Sequence, residues 1–106
     1  MRLREICTVA KVSRRAVQGY EKAGLVAPSG RTNRGYLLYD EIALERVKKI
    51  KLFQDLGFQI KEIKEIIDAP NEILRATLEK QVERLKERNA QVEQLIRKAY
   101  ELMEQM

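Results

Sequence analysis

From Leu78 to Met106 the chain keeps a strict alternation of four- and three-residue steps through Leu78, Val82, Leu85, Asn89, Val92, Ile96, Ala99, Met103 and Met106. All but Asn89 are apolar. A period of ~3.5 residues is the seam of a coiled coil, because it keeps one narrow stripe turned toward a partner along the whole rod. A single helix would leave that stripe in water. The pattern therefore predicts a homodimer paired through Leu78, Val82, Leu85, Asn89, Val92, Ile96, Ala99 and Met103. With Asn71 as N-cap after the Ala69-Pro70 break, the helix would reach Met106 and measure about 52 Å at ~1.5 Å per residue.

The direction of pairing stays open on these residues alone. Antiparallel helices would layer Leu78 on Met103, Val82 on Ala99, Leu85 on Ile96 and Asn89 on Val92, large against small or medium. Parallel helices would face Asn89 with itself, the better attested use of a buried Asn in setting register.

Ahead of this rod there is room for one small domain in a chain of 106 residues. Two prolines and five glycines are too few for the frequent turns of an all-β fold, so helices should dominate. No apolar run approaches the ~20 residues of a membrane span, and the charged first residues do not suit a signal peptide, so a soluble intracellular protein is expected. Cys7 is the only cysteine and there is no histidine, which rules out an internal disulfide and leaves too few ligands for a structural zinc site. Without histidine, a Gly-rich phosphate cradle or converging carboxylates, no enzyme is expected, and no cofactor or metal.

The first helix is expected from Leu3 to Ala10, with Leu3, Ile6, Ala10 and the core thiol of Cys7 on its buried face. Ser13 should cap a second helix, with Val12 and Val17 as a hydrophobic staple, Val17 and Tyr20 inward, and Gly24 as the stop. Arg14, Arg15, Gln18 and Lys22 are then left outside. Two short helices about a tight turn, with basic and amide groups at the start of the second, are how a helix-turn-helix meets a major groove. Pro28-Ser29-Gly30 and Asn33-Arg34-Gly35 mark turns of a small hairpin, with Arg31 and Arg34 at its tip and Tyr36 and Tyr39 on one face of its second strand. Asp40 should cap a third helix to about Leu56, with Ala43, Val47, Ile50 and Phe53 or Leu56 inward, opposite Arg46, Lys48, Lys49 and Lys51. A fourth is expected over Ile60 to Asp68.

Charge singles out the front of the chain. Eight basic residues face only Glu5 and Glu21 between Met1 and Tyr39, whereas the rest of the chain is close to neutral. A localised cationic surface on a helical module is the footprint of a phosphate-rich partner, the competing reading being a solvated face.

The run VSRRAVQGYEKAGLVAPSGRTNRGYLLYD, followed by LGFQIKEIKEII, resembles the N-terminal DNA-binding region of the MerR family of bacterial transcription regulators. The likeness covers roughly Leu3 to Asp68. It rests on Val12-Ser13 with Arg15, Tyr20-Glu21, Gly24-Leu25, Gly35-Tyr36 with Tyr39, and Leu56-Gly57-Phe58 leading into Ile63. It implies a mainly α fold: a winged helix-turn-helix with a two-stranded β wing in residues 1–69, then a dimerisation helix in residues 70–106 that pairs as an antiparallel coiled coil. Arg15 and Tyr20 fall on recognition-helix positions, and Arg34, Tyr36 and Tyr39 on the wing.

Departures are equally specific. Where most members have Arg-Tyr-Tyr-Glu this chain has Gln18-Gly19-Tyr20-Glu21, and where they have Gly-Tyr-Arg it has Gly35-Tyr36-Leu37. Arg14 adds a charge where many members are apolar, and Gln18 is suited to a bidentate contact with adenine. Members usually continue into a ligand- or metal-sensing domain; this sequence holds no sensor, and residues 70–106 hold no cysteine.

The expected activity is that of a MerR-type regulator that binds a two-fold related promoter site as a homodimer and distorts the spacer. Arg14, Arg15, Gln18, Tyr20, Lys22, Arg31, Arg34, Tyr36 and Tyr39 are the expected DNA-binding residues. Double-stranded DNA, a second copy and RNA polymerase at the promoter are the partners implied, in a bacterial cytoplasm. The competing reading is a coiled-coil interaction scaffold on this fold that has lost specific DNA binding.

Overall fold

Four short helices and a hairpin make the first unit, Met1–Ala69, and one long helix makes the second, Pro70–Met106, in a computed structural model that describes residues 1–106. In the first unit α1 (Leu3–Ala10), α2 (Arg14–Lys22) and α3 (Glu41–Asp55) pack around Ile6, Val17, Tyr39, Val47 and Ile50. The fourth, α4 (Ile60–Ile66), closes the far side of α3 with Ile63, Ile66 and Ile67.

The helix ends explain the arrangement. Ser13 Oγ accepts from the Ala16 amide at 3.0 Å and Asp40 Oδ1 from the Ala43 amide at 2.8 Å, so α2 and α3 start where a side chain satisfies a free N–H. Both helices stop alike. Gly24 (φ 79°) and Gly57 (φ 100°) take the left-handed conformation, which returns the amides of Leu25 and Phe58 to the carbonyls of Tyr20 and Phe53. The Phe53 and Phe58 rings then meet edge to face at 6.1 Å, which makes Phe53, not the half-buried Leu56, the core residue at this end. The turn between α1 and α2 is tighter than its sequence suits: Lys11 holds φ 56°, a conformation costing a residue with a Cβ about 1 to 2 kcal/mol.

In the hairpin, β1 (Gly30–Arg31) pairs antiparallel with β2 (Leu37–Leu38), Gly30 opposite Leu38 and Arg31 opposite Leu37. Its loop carries the positive φ at Gly35 (84°). A single antiparallel bridge joins Arg2 to Leu38 on the other side of β2, and the Tyr39 amide donates to the Met1 carbonyl at 2.6 Å.

Three expectations are corrected. Tyr36 and Tyr39 do not share a face: residues three apart on an extended strand point to opposite sides, and Tyr39 is buried while Tyr36 is exposed. In addition, two of the α3 cations placed opposite the core stripe reach other elements. Arg46 Nε donates to the Leu25 carbonyl at 2.7 Å and its guanidinium pairs with Asp68 at 2.8 Å, while Lys49 reaches the Ile67 carbonyl at 3.2 Å. The Arg46 hydrogen bond holds the Asp68 carboxyl below its ordinary pKa. The fourth helix ends at Ile66. Finally Pro70, not Asn71, holds the N-cap of α5 (Asn71–Glu104): a proline has no N–H to leave unsatisfied there, and its carbonyl takes the amides of Ile73 and Leu74.

Along α5 the side chains of the 4,3 stripe lie open, with Val82, Leu85, Val92, Ile96 and Met103 between 38% and 63% exposed.

Candidate nucleic-acid interface

The outer face of α2 follows from its inner one. Burying Val17 and Tyr20 leaves Arg14, Gln18 and Lys22 one above the other at four-residue spacing, with Arg15 beside them, all exposed. Gly19 lies among them on the solvent side, and a methyl group built there would meet nothing within 4 Å. Its absence costs the helix stability and leaves the backbone open to close approach. Gly19→Ala should therefore stabilise the fold by about 1 kcal/mol, raising the melting temperature by roughly 4 to 8 °C in a thermal scan.

The wing flanks this face. Arg34 and Tyr36 are exposed, whereas Arg31 curls over the hairpin and donates to the Gly35 carbonyl at 3.0 Å. Between α1, α2 and the wing lies a concave surface of about 410 Å³, lined by Arg2, Arg4, Arg14, Gln18 and Tyr36 with Leu3, Gly35 and Leu37. The Arg2 guanidinium stands over the Tyr36 ring, 4.5 Å from its centre.

Electrostatically the front of the molecule is one-sided. The ion pairs of the protein lie on α3, just beyond α4 and on α5, at Arg46–Asp68, Lys48–Glu45, Lys51–Asp55 and Lys86–Glu83. None involves a cation of the first 39 residues. Both acidic residues of that stretch are engaged internally: Glu5 accepts from the Arg2 amide at 3.2 Å, and Glu21 accepts from the Tyr39 hydroxyl. Burial first, and then the Glu21 hydrogen bond, raise the Tyr39 pKa, so the hydroxyl stays a donor.

Seven of the nine residues expected at the interface, Arg14, Arg15, Gln18, Lys22, Arg31, Arg34 and Tyr36, are on the surface. Tyr20 and Tyr39 are not. Each is nearly enclosed, at 3% and 2% exposure, with its hydroxyl given to Gln54 at 2.6 Å and to Glu21 respectively. Helical periodicity had turned Tyr20 inward and the family resemblance had put it outward; the packing sides with the periodicity. Both tyrosines instead brace the surface from behind, Tyr39 by tying the wing to α2. Arg2 and Arg4 are the residues sequence reasoning missed. They stood in the charge excess, but only the pairing of Arg2 with β2 brings them beside α2.

Comparison with known proteins agrees with the fold. The profile described as MerR HTH family regulatory protein matches residues 1–70, and that described as MerR, DNA binding matches residues 44–106. The HTH-type transcriptional activator mta of Bacillus subtilis is 34% identical over 94 residues, 89% of this chain but only 37% of that protein. The crystal structure of MtaN, the N-terminus of the Bacillus subtilis multidrug transporter activator, superposes with a TM-score of 0.80 at 31% identity, covering 97% of each chain. A MerR-family transcriptional regulator from Bacillus cereus gives a TM-score of 0.80 at 29% identity over 91% of this chain and 74% of its own.

Proposed function

The chain belongs to the MerR family of helix-turn-helix regulators, and on that premise we propose that it binds duplex DNA as a homodimer and regulates transcription. The observation that carries the reading is the set of unpaired cations on α2 and the wing, with both nearby carboxylates engaged elsewhere. Arg14, Arg15 and Lys22 hold phosphates beside the major groove, Gln18 reads a base edge, and Arg31, Arg34 and Tyr36 engage the flanking backbone.

Residues 1–69 serve as the DNA-binding domain and residues 70–106 as the dimerisation helix. The open stripe on α5 supports this division, since a second copy is the partner whose stripe repeats the same 3.5-residue period. The antiparallel layering matches large with small or medium side chains and is the orientation that the family resemblance implies. Two modules at fixed separation then occupy a two-fold related promoter site, where RNA polymerase is the next partner. The named relatives are described as transcriptional regulators, none as an enzyme, and no helix here is long and apolar enough to cross a membrane.

Titration of the protein against a labelled duplex at several salt concentrations tests the proposal. With about six phosphate contacts, log affinity should fall by about five per tenfold rise in salt, at ~0.9 per contact. Absence of binding even at low salt overturns it.

A further inference from the structure

We propose that Arg2 and Arg4, with Tyr36 as a platform, form a second phosphate-binding element between the recognition helix and the wing. This rests on the DNA-binding reading above and adds residues to it. Three observations carry the step.

First, Arg2, Arg4 and Arg14 converge on one concave surface of about 410 Å³ that no carboxylate lines. Three cations gathered with no carboxylate in the lining repel one another, so an oxyanion bound among them relieves that repulsion as well as making its own contacts. Second, the Arg2 fork is already placed. Its backbone is bridged to Leu38 and its guanidinium is stacked on Tyr36. A planar group fixed on an aromatic face loses less rotamer freedom on binding a phosphate than a free side chain does. Third, the surface lies between the two parts expected to touch the duplex, so a backbone strand running from α2 to the wing passes over it. Glu5 keeps its carboxylate on the Arg2 amide and outside the lining of this surface, so it offsets part of the positive charge without an ion pair to either side chain.

The contact is to phosphate and carries no sequence information, so the test needs no knowledge of the operator. The probe is a labelled duplex of random sequence, titrated at several salt concentrations with the full chain and with Arg2→Ala, Arg4→Ala, Tyr36→Phe and Tyr36→Ala. Each arginine variant should flatten the salt slope by about 0.9 per lost contact, or about 1.8 if the protein binds as a dimer. Tyr36→Ala, which removes the ring face, should lower affinity several-fold, and Tyr36→Phe, which keeps it, should lower affinity less than Tyr36→Ala does. A thermal melt on each variant establishes that it is folded. If the arginine variants bind with the parent slope, this inference falls and the DNA-binding function stands. If the unaltered chain does not bind at all, both fall.

Discussion

Ile96→Asp should convert the protein from a particle of twice 12.4 kDa into one of 12.4 kDa by sedimentation equilibrium, with the first unit still folded. Ile96 is half exposed in the single chain and occupies a central layer of the proposed seam, opposite Leu85 of the partner copy. The substitution acts twice in a two-fold assembly. Each copy would place a carboxylate against apolar side chains with no counter-ion, at a cost of several kcal/mol unless the pair separates. A loss of about 4 kcal/mol raises the dissociation constant roughly a thousandfold. Ile96→Val removes only one methylene and should leave the dimer intact. A dimer that survives Ile96→Asp unchanged would mean that the stripe is not the interface. Orientation is separable from association: in a Cys7→Ser background, chains carrying Leu78→Cys should cross-link to chains carrying Met103→Cys, and neither to itself.

The second large effect belongs to α2. Arg14→Ala together with Arg15→Ala should weaken duplex binding by roughly a thousandfold at 0.1 M salt and flatten the salt slope by about 3.6, as four contacts are lost across the dimer. Both side chains are exposed and neither makes an ion pair, so the fold should not register their loss, and the thermal melt should stay within a few degrees of the parent. Lysine at both positions separates charge from shape. It should restore most of the salt slope but only part of the affinity, because an ammonium cannot reproduce the two-pronged hydrogen bonding of a guanidinium. Binding that ignores the double alanine substitution would move the interface off this helix.

Most of the fold was legible because short-range rules govern it. Ser13 and Asp40 announce two helix starts, Gly24 and Gly57 two stops, and the 4,3 rhythm a rod. The errors have a common physical source. Tyr36 and Tyr39 were placed on one face although a strand alternates sides with every residue. Helical spacing places Arg46 and Lys49 opposite the core stripe but describes only their own element, so it does not show that they reach the carbonyls of Leu25 and Ile67. The same limit hid Arg2 and Arg4. Nothing local marks Arg2 as a neighbour of Tyr36; the bridge to Leu38 does so only once the hairpin exists. Lys11, in a conformation that suits glycine, carried no signal of the turn it makes. Local propensity there is overruled by the need to bring α1 and α2 together.

The bond from the Tyr39 hydroxyl to Glu21 runs from the root of the hairpin to the last turn of the second helix, and burial keeps the proton on the tyrosine oxygen. One hydrogen bond thus ties the wing to the recognition helix within the first unit. On the DNA-binding reading proposed above, a duplex whose groove-to-backbone distance does not suit that tie would have to bend or twist to fit, so the deformability of DNA, and not only its letters, would enter its selection.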